Sequence, residues 1–141
     1  MSPAGNQMPK PEGERAPTVL VVEDDVLLRL AASDHFRDAG LAAVEAANGE
    51  EAQSVLDAGV AIDLVFSDIN MGDGIDGIAL ATWIAARYAD IPVVITSGLQ
   101  NALNEAQAEC PQAKAFILKP YDYDALVRRV RGIIALRAKH T

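Results

Sequence analysis

Four apolar runs in this 141-residue chain end in groups that can do chemistry. Thr18 to Val22 runs into Glu23-Asp24-Asp25, and Ile62 to Ser67 runs into Asp68. Ile91 to Ile95 runs into Thr96-Ser97, and Ala115 to Leu118 runs into Lys119-Pro120. A strand tip is stiff, so a side chain placed there is held where the fold wants it. Carboxylates gathered in one place repel one another, and their ionised forms need a cation. A donor set made only of oxygen suits Mg²⁺ (or Mn²⁺). A carboxylate beside such an ion can act as a nucleophile toward a phosphoryl group, giving an aspartyl phosphate. Asp68 is the candidate for that role. An ammonium such as Lys119 can pair with phosphoryl oxygens, and a hydroxyl such as Thr96 can donate a hydrogen bond to one.

These groups serve one reaction only if their strands are neighbours. The chain alternates in the way that brings this about. The run 18–22 is β-branched and apolar enough for a strand buried on both faces. Residues 26–39 follow with Leu28, Ala31, Ala32 and Phe36 at helical spacing, closed by Gly40. A weaker strand spans 41–46. Asn48-Gly-Glu-Glu51 opens a helix reaching about Ala58, with Asn48 as cap and an acidic first turn. The third strand is expected over 62–67, and Asp76 caps a helix from Gly77 to about Tyr88. The fourth strand is expected over 91–95, with Pro92 at its start. A polar helix covers 101–109, a fifth strand 115–118, and a last helix 123–138. That helix offers Leu126, Val127, Val130, Ile133, Ile134 and Leu136 as its apolar positions. Alternation of this kind predicts an α/β fold, a doubly wound five-stranded parallel sheet covered by helices on both faces. Such sheets bind ligands beyond the carboxyl ends of their strands.

Bulk properties narrow the partners. A net charge of −8 argues against non-specific binding to nucleic acid or to an anionic membrane. One cysteine, Cys110, permits no internal disulfide. No apolar run approaches the ~20 residues of a membrane span, and residues 1–17 have no hydrophobic segment of a secretory signal. A cytoplasmic protein is expected. Residues 1–17 hold four prolines and little bulky apolar surface, which predicts a flexible tail.

At the tips themselves the chain resembles a known family, the receiver domain of two-component response regulators. The resemblance covers roughly residues 18–138 and rests on VLVVEDD (19–25), DINMGDGIDG (68–77), VVITSG (93–98) and FILKPYD (116–122), in that order. It implies the flavodoxin-like (βα)5 fold with strand order 2-1-3-4-5. It implies that Asp68 is the phosphoacceptor, that Asp24 ligates Mg²⁺, and that Glu23 does so directly or through water. Asn70 would ligate through its main-chain carbonyl. Thr96 matches the switch hydroxyl, Phe116 the aromatic switch position, and Lys119 the lysine of the motif, commonly followed by a cis proline. The implied partners are a sensor histidine kinase and a downstream protein, with a possible homodimer through the fourth helix, fifth strand and fifth helix. The motifs also resemble those of stand-alone receivers of alphaproteobacteria. Few residues remain after the last helix, so no output domain is expected, and the protein would signal to a partner or serve as a phosphate shuttle or sink.

The chain departs from the family pattern in places. Gly72 stands where proline is usual, and the loop 72–75 looks one residue longer. Phe116 lacks the phenol of a tyrosine. Ser97 is either a second donor or a small filler. Two rival functions are an unphosphorylated pseudo-receiver and a haloacid-dehalogenase-like phosphatase. The intact set of Asp24, Asp68, Thr96 and Lys119 opposes the first. Asn70, where the phosphatase needs an aspartate, opposes the second. Asp25 is read as a helix cap, and Asp73 and Asp76 as turn and cap residues. His35 is expected to be a partly buried core histidine. Trp83 is read as packing, and Tyr121 and Tyr123 as either pocket edge or partner surface. The arginines of the last helix are read as a solvated face favourable to its dipole.

Overall fold

A computed structural model describes residues 15–139. The elements follow in the expected alternation: β1 (Thr18–Val22), α1 (Val26–Asp38), β2 (Ala42–Ala46), α2 (Gly49–Asp57), β3 (Leu64–Asp68), α3 (Gly77–Arg87), β4 (Val93–Ser97), α4 (Gln100–Glu109), β5 (Ala115–Leu118) and α5 (Tyr123–Lys139). The strands form one parallel sheet in the order β2-β1-β3-β4-β5. Of the expected tail over 1–17, residues 1–14 lie outside the described residues, as does His140. Among the described residues no helix is long and apolar enough to cross a membrane.

The three central strands carry side chains buried on both faces, which is why they read as unbroken apolar runs. Two packed layers result. One sets Leu20, Val22, Val65 and Ile95 against Leu56, Leu80, Ile84 and Leu103 of α2, α3 and α4. The other sets Val19, Val21, Leu64, Phe66 and Val94 against Phe36 of α1 and Leu126 and Val130 of α5.

The helices begin where capping side chains stand. Asp25 accepts hydrogen bonds from the N–H groups of Leu27 and Leu28, Asn48 from Glu51, and Asp76 from Ala79. Asp25 is therefore a cap, as expected. Helix α1 ends at Gly40, whose φ of +89° places it in the left-handed region.

Several expectations need correction. β3 and β4 begin two residues later than the apolar runs suggested and end one and two residues later, so Asp68, Thr96 and Ser97 belong to strands and do not merely follow them. The ladder starts beyond Pro92, which has no N–H to give, and continues until Asp68 pairs with Thr96. Leu28 does not join the core. The start of α1 leaves Val26, Leu27, Leu28 and Leu30 exposed, with Leu27 at 77%. At the other end of the chain Leu136 of α5 is 58% exposed. His35 is exposed, not a core residue. Its ring stacks on Tyr123 with centroids 3.9 Å apart.

Candidate functional site

The parallel order sets the carboxyl ends of β1, β3, β4 and β5 along one edge of the sheet. Glu23 and Asp24 follow β1, Asp68 ends β3, Thr96 lies near the end of β4, and Lys119 follows β5. Glu23 and Asp68 are buried, at 6% and 8% exposure, while Asp24 is exposed. One carboxylate oxygen from each of the three lies within 4.8 Å of the others. Lys119 reaches into the same place from β5. Its Nζ donates to Glu23 Oε1 at 2.8 Å and to Asp68 Oδ2 at 3.1 Å. These residues are up to 96 positions apart in the chain, and the sheet alone brings them together.

The electrostatics follow from this packing. Burial pushes the Glu23 carboxyl above its ordinary pKa, and the charge of Asp68 adds to the push. The hydrogen bond from Lys119 opposes both. For Lys119 burial acts downward, but its bonds to Glu23 and Asp68 outweigh burial, and the net direction is up. The ammonium therefore stays charged, as two adjacent carboxylates require. Burial, with the nearby charges of Glu23 and Asp68 among the lesser causes, raises the Tyr121 phenol as well. Tyr121 is half-buried. It packs edge-on between Phe66 and Tyr123 and backs the site from the β5–α5 connection.

The other expected residues are placed as follows. Thr96 is the register partner of Asp68. Its hydroxyl, however, donates to the carbonyl of Ile117 at 2.7 Å and so turns toward β5. Phe116 is half-buried and packs against the α2–α3–α4 layer. The Lys119–Pro120 bond is cis. Ser97 accepts a hydrogen bond from the N–H of Leu99, which places its oxygen in the turn before α4. Asn70 and Asp73 are exposed, and Met71 between them is buried. Trp83 packs against Tyr88, with the Arg87 guanidinium over its ring.

Two glycines have roles that their sequence context did not reveal. A Cβ on Gly77 would lie 2.2 Å from the main-chain oxygen of Asp68, so only glycine lets α3 begin against the strand that carries the central carboxylate. Gly72 has φ +73°, and a Cβ there would come within 3.9 Å of Asp24 Oδ2. The loop backbone thus passes beside the acidic cluster. The arginines of α5 are also more than a solvated face. Arg137 bonds Asp63, and Arg131 bonds the carbonyl of Ala39.

Chemically, three carboxylates with converging oxygens form an all-oxygen donor set that fits a divalent cation. The ammonium at their side fits an anion delivered to Asp68.

Comparison with known proteins agrees with this chemistry. The sequence profile of the response regulator receiver domain matches residues 19–131. The C4-dicarboxylate transport transcriptional regulatory protein DctD of Rhizobium meliloti is 36% identical over 116 residues. The match takes in 82% of this chain and 25% of DctD, so the chain spans about a quarter of that relative's length. A response regulator receiver protein from Sinorhizobium medicae is similar in structure, with a TM-score of 0.77 and 30% identity, over 86% of this chain and 97% of that one. TrrA, a response regulator protein of Thermotoga maritima solved in complex with Mg²⁺-BeF, superposes with a TM-score of 0.75 at 26% identity, over 83% of this chain and 98% of TrrA. From the order of its strands, the cradle at their tips and these likenesses, the chain belongs to the receiver domain family of two-component response regulators.

Proposed function

We propose that Asp68 accepts a phosphoryl group from a sensor histidine kinase, and that the chain passes this signal to a protein partner through the face made by α4, β5 and α5. The observation that supports this most directly is the Lys119 ammonium held between Glu23 and Asp68, with the carboxylate of Asp24 alongside. Asp24, Asp68 and Glu23 would hold Mg²⁺ (or Mn²⁺), with the Asn70 main-chain carbonyl as a further ligand. When bound, the ion neutralises clustered carboxylates and phosphoryl oxygens.

The chain's own residues do the remaining work. A carboxylate oxygen of Asp68 attacks phosphorus in line. An O–P bond forms, the P–N bond of the phosphohistidine breaks, and the released imidazole nitrogen takes up a proton. Lys119 is positioned to meet a phosphoryl oxygen. Thr96 must give up the carbonyl of Ile117 to reach another, and Phe116 follows into the space that Thr96 leaves. Reversing a 1:99 population needs ~5.5 kcal/mol. Two charge-assisted hydrogen bonds, from Lys119 and Thr96, supply about 1.5–3 kcal/mol each. A partner that carries the donor also needs somewhere to dock. The exposed Val26, Leu27, Leu28 and Leu30 begin directly after Asp24 and Asp25 and offer an apolar surface beside the site. Receiver domains are in general signalling modules, and the reading here is stoichiometric transfer without enzymatic turnover.

The test is intact-mass measurement after incubation with Mg²⁺ and acetyl phosphate. The parent chain gains one phosphoryl group, the gain is lost with chelator, and Asp68→Asn gains none. Labelling that persists in Asp68→Asn would sink the assignment. An unlabelled parent would favour the pseudo-receiver.

A further inference from the structure

The loop after β3 is fastened by an element that sequence reasoning left out of the site. Ile75 is half-buried and packs into the α2–α3–α4 layer. Its seat exists because residue 49 has no side chain. A Cβ on buried Gly49 would lie 2.4 Å from Ile75 Cγ1 and 2.7 Å from its Cδ1. The next residue of α2, Glu50, accepts a hydrogen bond from the N–H of Ile75 at 3.1 Å. Its carboxylate also lies against Gly74, where a Cβ would come within 2.6 Å of Glu50 Oε2. Gly74 has φ +93°, a backbone angle that favours glycine, and a side chain there would also push against the Glu50 carboxylate.

The loop is therefore held at both ends. Met71 is buried on its amino side, and residues 74–75 are held by α2 on its carboxyl side, just before Gly77 meets the main-chain oxygen of Asp68. Met71 is buried, so the exposed Gly72 and Asp73 form the short stretch left to pass beside Asp24. How closely that stretch covers the acidic cluster depends on where residues 74–75 are seated.

The geometry points to the first turn of α2 as a clamp on this cover: Gly49 and Glu50 are positioning residues that set how well the loop 72–75 shields the Asp68 site from water. The inference rests on the reading of Asp68 as phosphoacceptor and adds a control on phosphoryl lifetime. Attack by water on the phosphorus of Asp68 breaks the O–P bond and releases inorganic phosphate. A loosened cover admits that water more often.

The experiment follows hydrolysis of the labelled full chain by intact mass, with the Mg²⁺ dissociation constant and thermal midpoint measured for each variant. Glu50→Ala removes the acceptor from an exposed side chain. It shortens the phosphoryl lifetime about fivefold, the equivalent of one ordinary hydrogen bond. Glu50→Gln keeps a carbonyl oxygen for Ile75 N–H and holds the parent lifetime, an outcome that a loss of general stability would not give. Gly49→Ala displaces Ile75 and shortens the lifetime about tenfold. The double variant Gly49→Ala with Ile75→Ala is no worse than the worse single one, because both unseat the same contact. If the parent is labelled and Glu50→Ala keeps both its lifetime and its Mg²⁺ affinity, the clamp is wrong and the phosphoacceptor reading stands. Glu50→Gln behaving as Glu50→Ala would also overturn it. A parent that takes no label removes both readings together.

Discussion

The two ends of the sheet treat charge in opposite ways. Among the described residues, the buried polar side chains other than Ser33 all lie at the carboxyl ends of strands: Glu23, Ser67, Asp68, Thr96 and Ser97. At the amino ends the charged groups stay near water. Arg137 joins Asp63 and Asp90 there, and the Asp90 side chain is 75% exposed. That end also holds an open cavity of about 750 Å³, walled by Ala81, Ala85, Ile91, Pro92, Ile133 and Leu136 among others. None of the clustered carboxylates lines that hollow. Burying a charge costs free energy unless it is paired, so a fold that places carboxylates and an ammonium under cover at one end is using them. Charges at the amino end link α5 to Asp63 and Asp90, whose carboxylates stay open to water.

The contrast is broken most severely at Gly77. Its neighbour is main-chain oxygen, which cannot swing aside as a flexible side chain would. Gly77→Ala is expected to lose about 3 kcal/mol of stability, as overpacking against backbone does. A denaturant midpoint measures it. The site should suffer with the fold, since the displaced atoms belong to Asp68. A variant with the parent's midpoint would mean that α3 can start elsewhere.

Lys119→Ala comes next. It leaves Glu23 and Asp68 adjacent and without their shared cation. Removing one member of a buried pair costs ~3–5 kcal/mol, and less for groups that are partly exposed as Lys119 is, so about 1–3 kcal/mol is expected here. Mg²⁺ should restore more stability to this variant than to the parent, because it replaces the missing positive charge. Thermal melts with and without Mg²⁺ give the comparison. Equal gains in both proteins would show that the ammonium and the metal do not answer the same carboxylates. The direction of the Lys119 shift adds a sign. Its pKa is raised on folding, so its contribution is whole below the unfolded value and is lost as pH rises through the folded one.

Much of this end was legible from sequence, and the reasons differ by residue. Asp25, Asn48 and Asp76 announced three helix starts, because a capping side chain acts within its own turn. The unbroken apolar runs announced central strands, and the strand order carried Glu23, Asp68 and Lys119 to one place. Strand ends were less legible. β3 stops where its register with β4 stops, at Asp68 opposite Thr96, and β4 runs one residue further, to Ser97 paired with Leu118 of β5; these are properties of paired strands and not of one apolar run. Leu28 and Leu136 fit helical spacing yet are exposed, since spacing does not tell where the opposing surface ends. Gly49 and Gly77 were silent for another reason. A glycine needed for close approach is defined by what faces it, and Ile75 and Asp68 approach them only in the fold.

A milder test uses pH on the same cluster. Metal binding needs ionised carboxylates. Burial raises the Glu23 pKa above its ordinary 4.5, so protons compete with Mg²⁺ from a higher pH than for an exposed glutamate. The Mg²⁺ dissociation constant is expected to rise about threefold or more between pH 7.5 and pH 5.5, which calorimetry can follow. In Glu23→Gln the part of that dependence due to residue 23 disappears. A pH profile unchanged by Glu23→Gln would remove this residue from the metal set.

The smallest effect is expected at the opposite end of the sheet, from Arg137→Ala. Arg137 Nη1 donates to Asp63 Oδ1 at 3.1 Å, and Asp63 is itself an acceptor for the N–H of Thr18 at 2.8 Å. Without the guanidinium, the Asp63 carboxylate keeps that backbone partner and its access to water. The pair is partly buried, at 24% and 37% side-chain exposure, but the Asp63 and Asp90 carboxylates are open to water, so it is expected to contribute near the ~0.2–1 kcal/mol of surface pairs, and salt screens it. Arg137→Ala should therefore shift the denaturant midpoint by less than about 1 kcal/mol, and by less again at high ionic strength. Its labelling at Asp68 and its phosphoryl lifetime should match the parent. Lys119 and Arg137 each hold two carboxylates. Only the pair of carboxylates under Lys119 is hidden from solvent, and that burial is what separates a working site from a surface tether. A changed phosphoryl lifetime in Arg137→Ala would show that the two ends are coupled through α5, and the division drawn between them would fail.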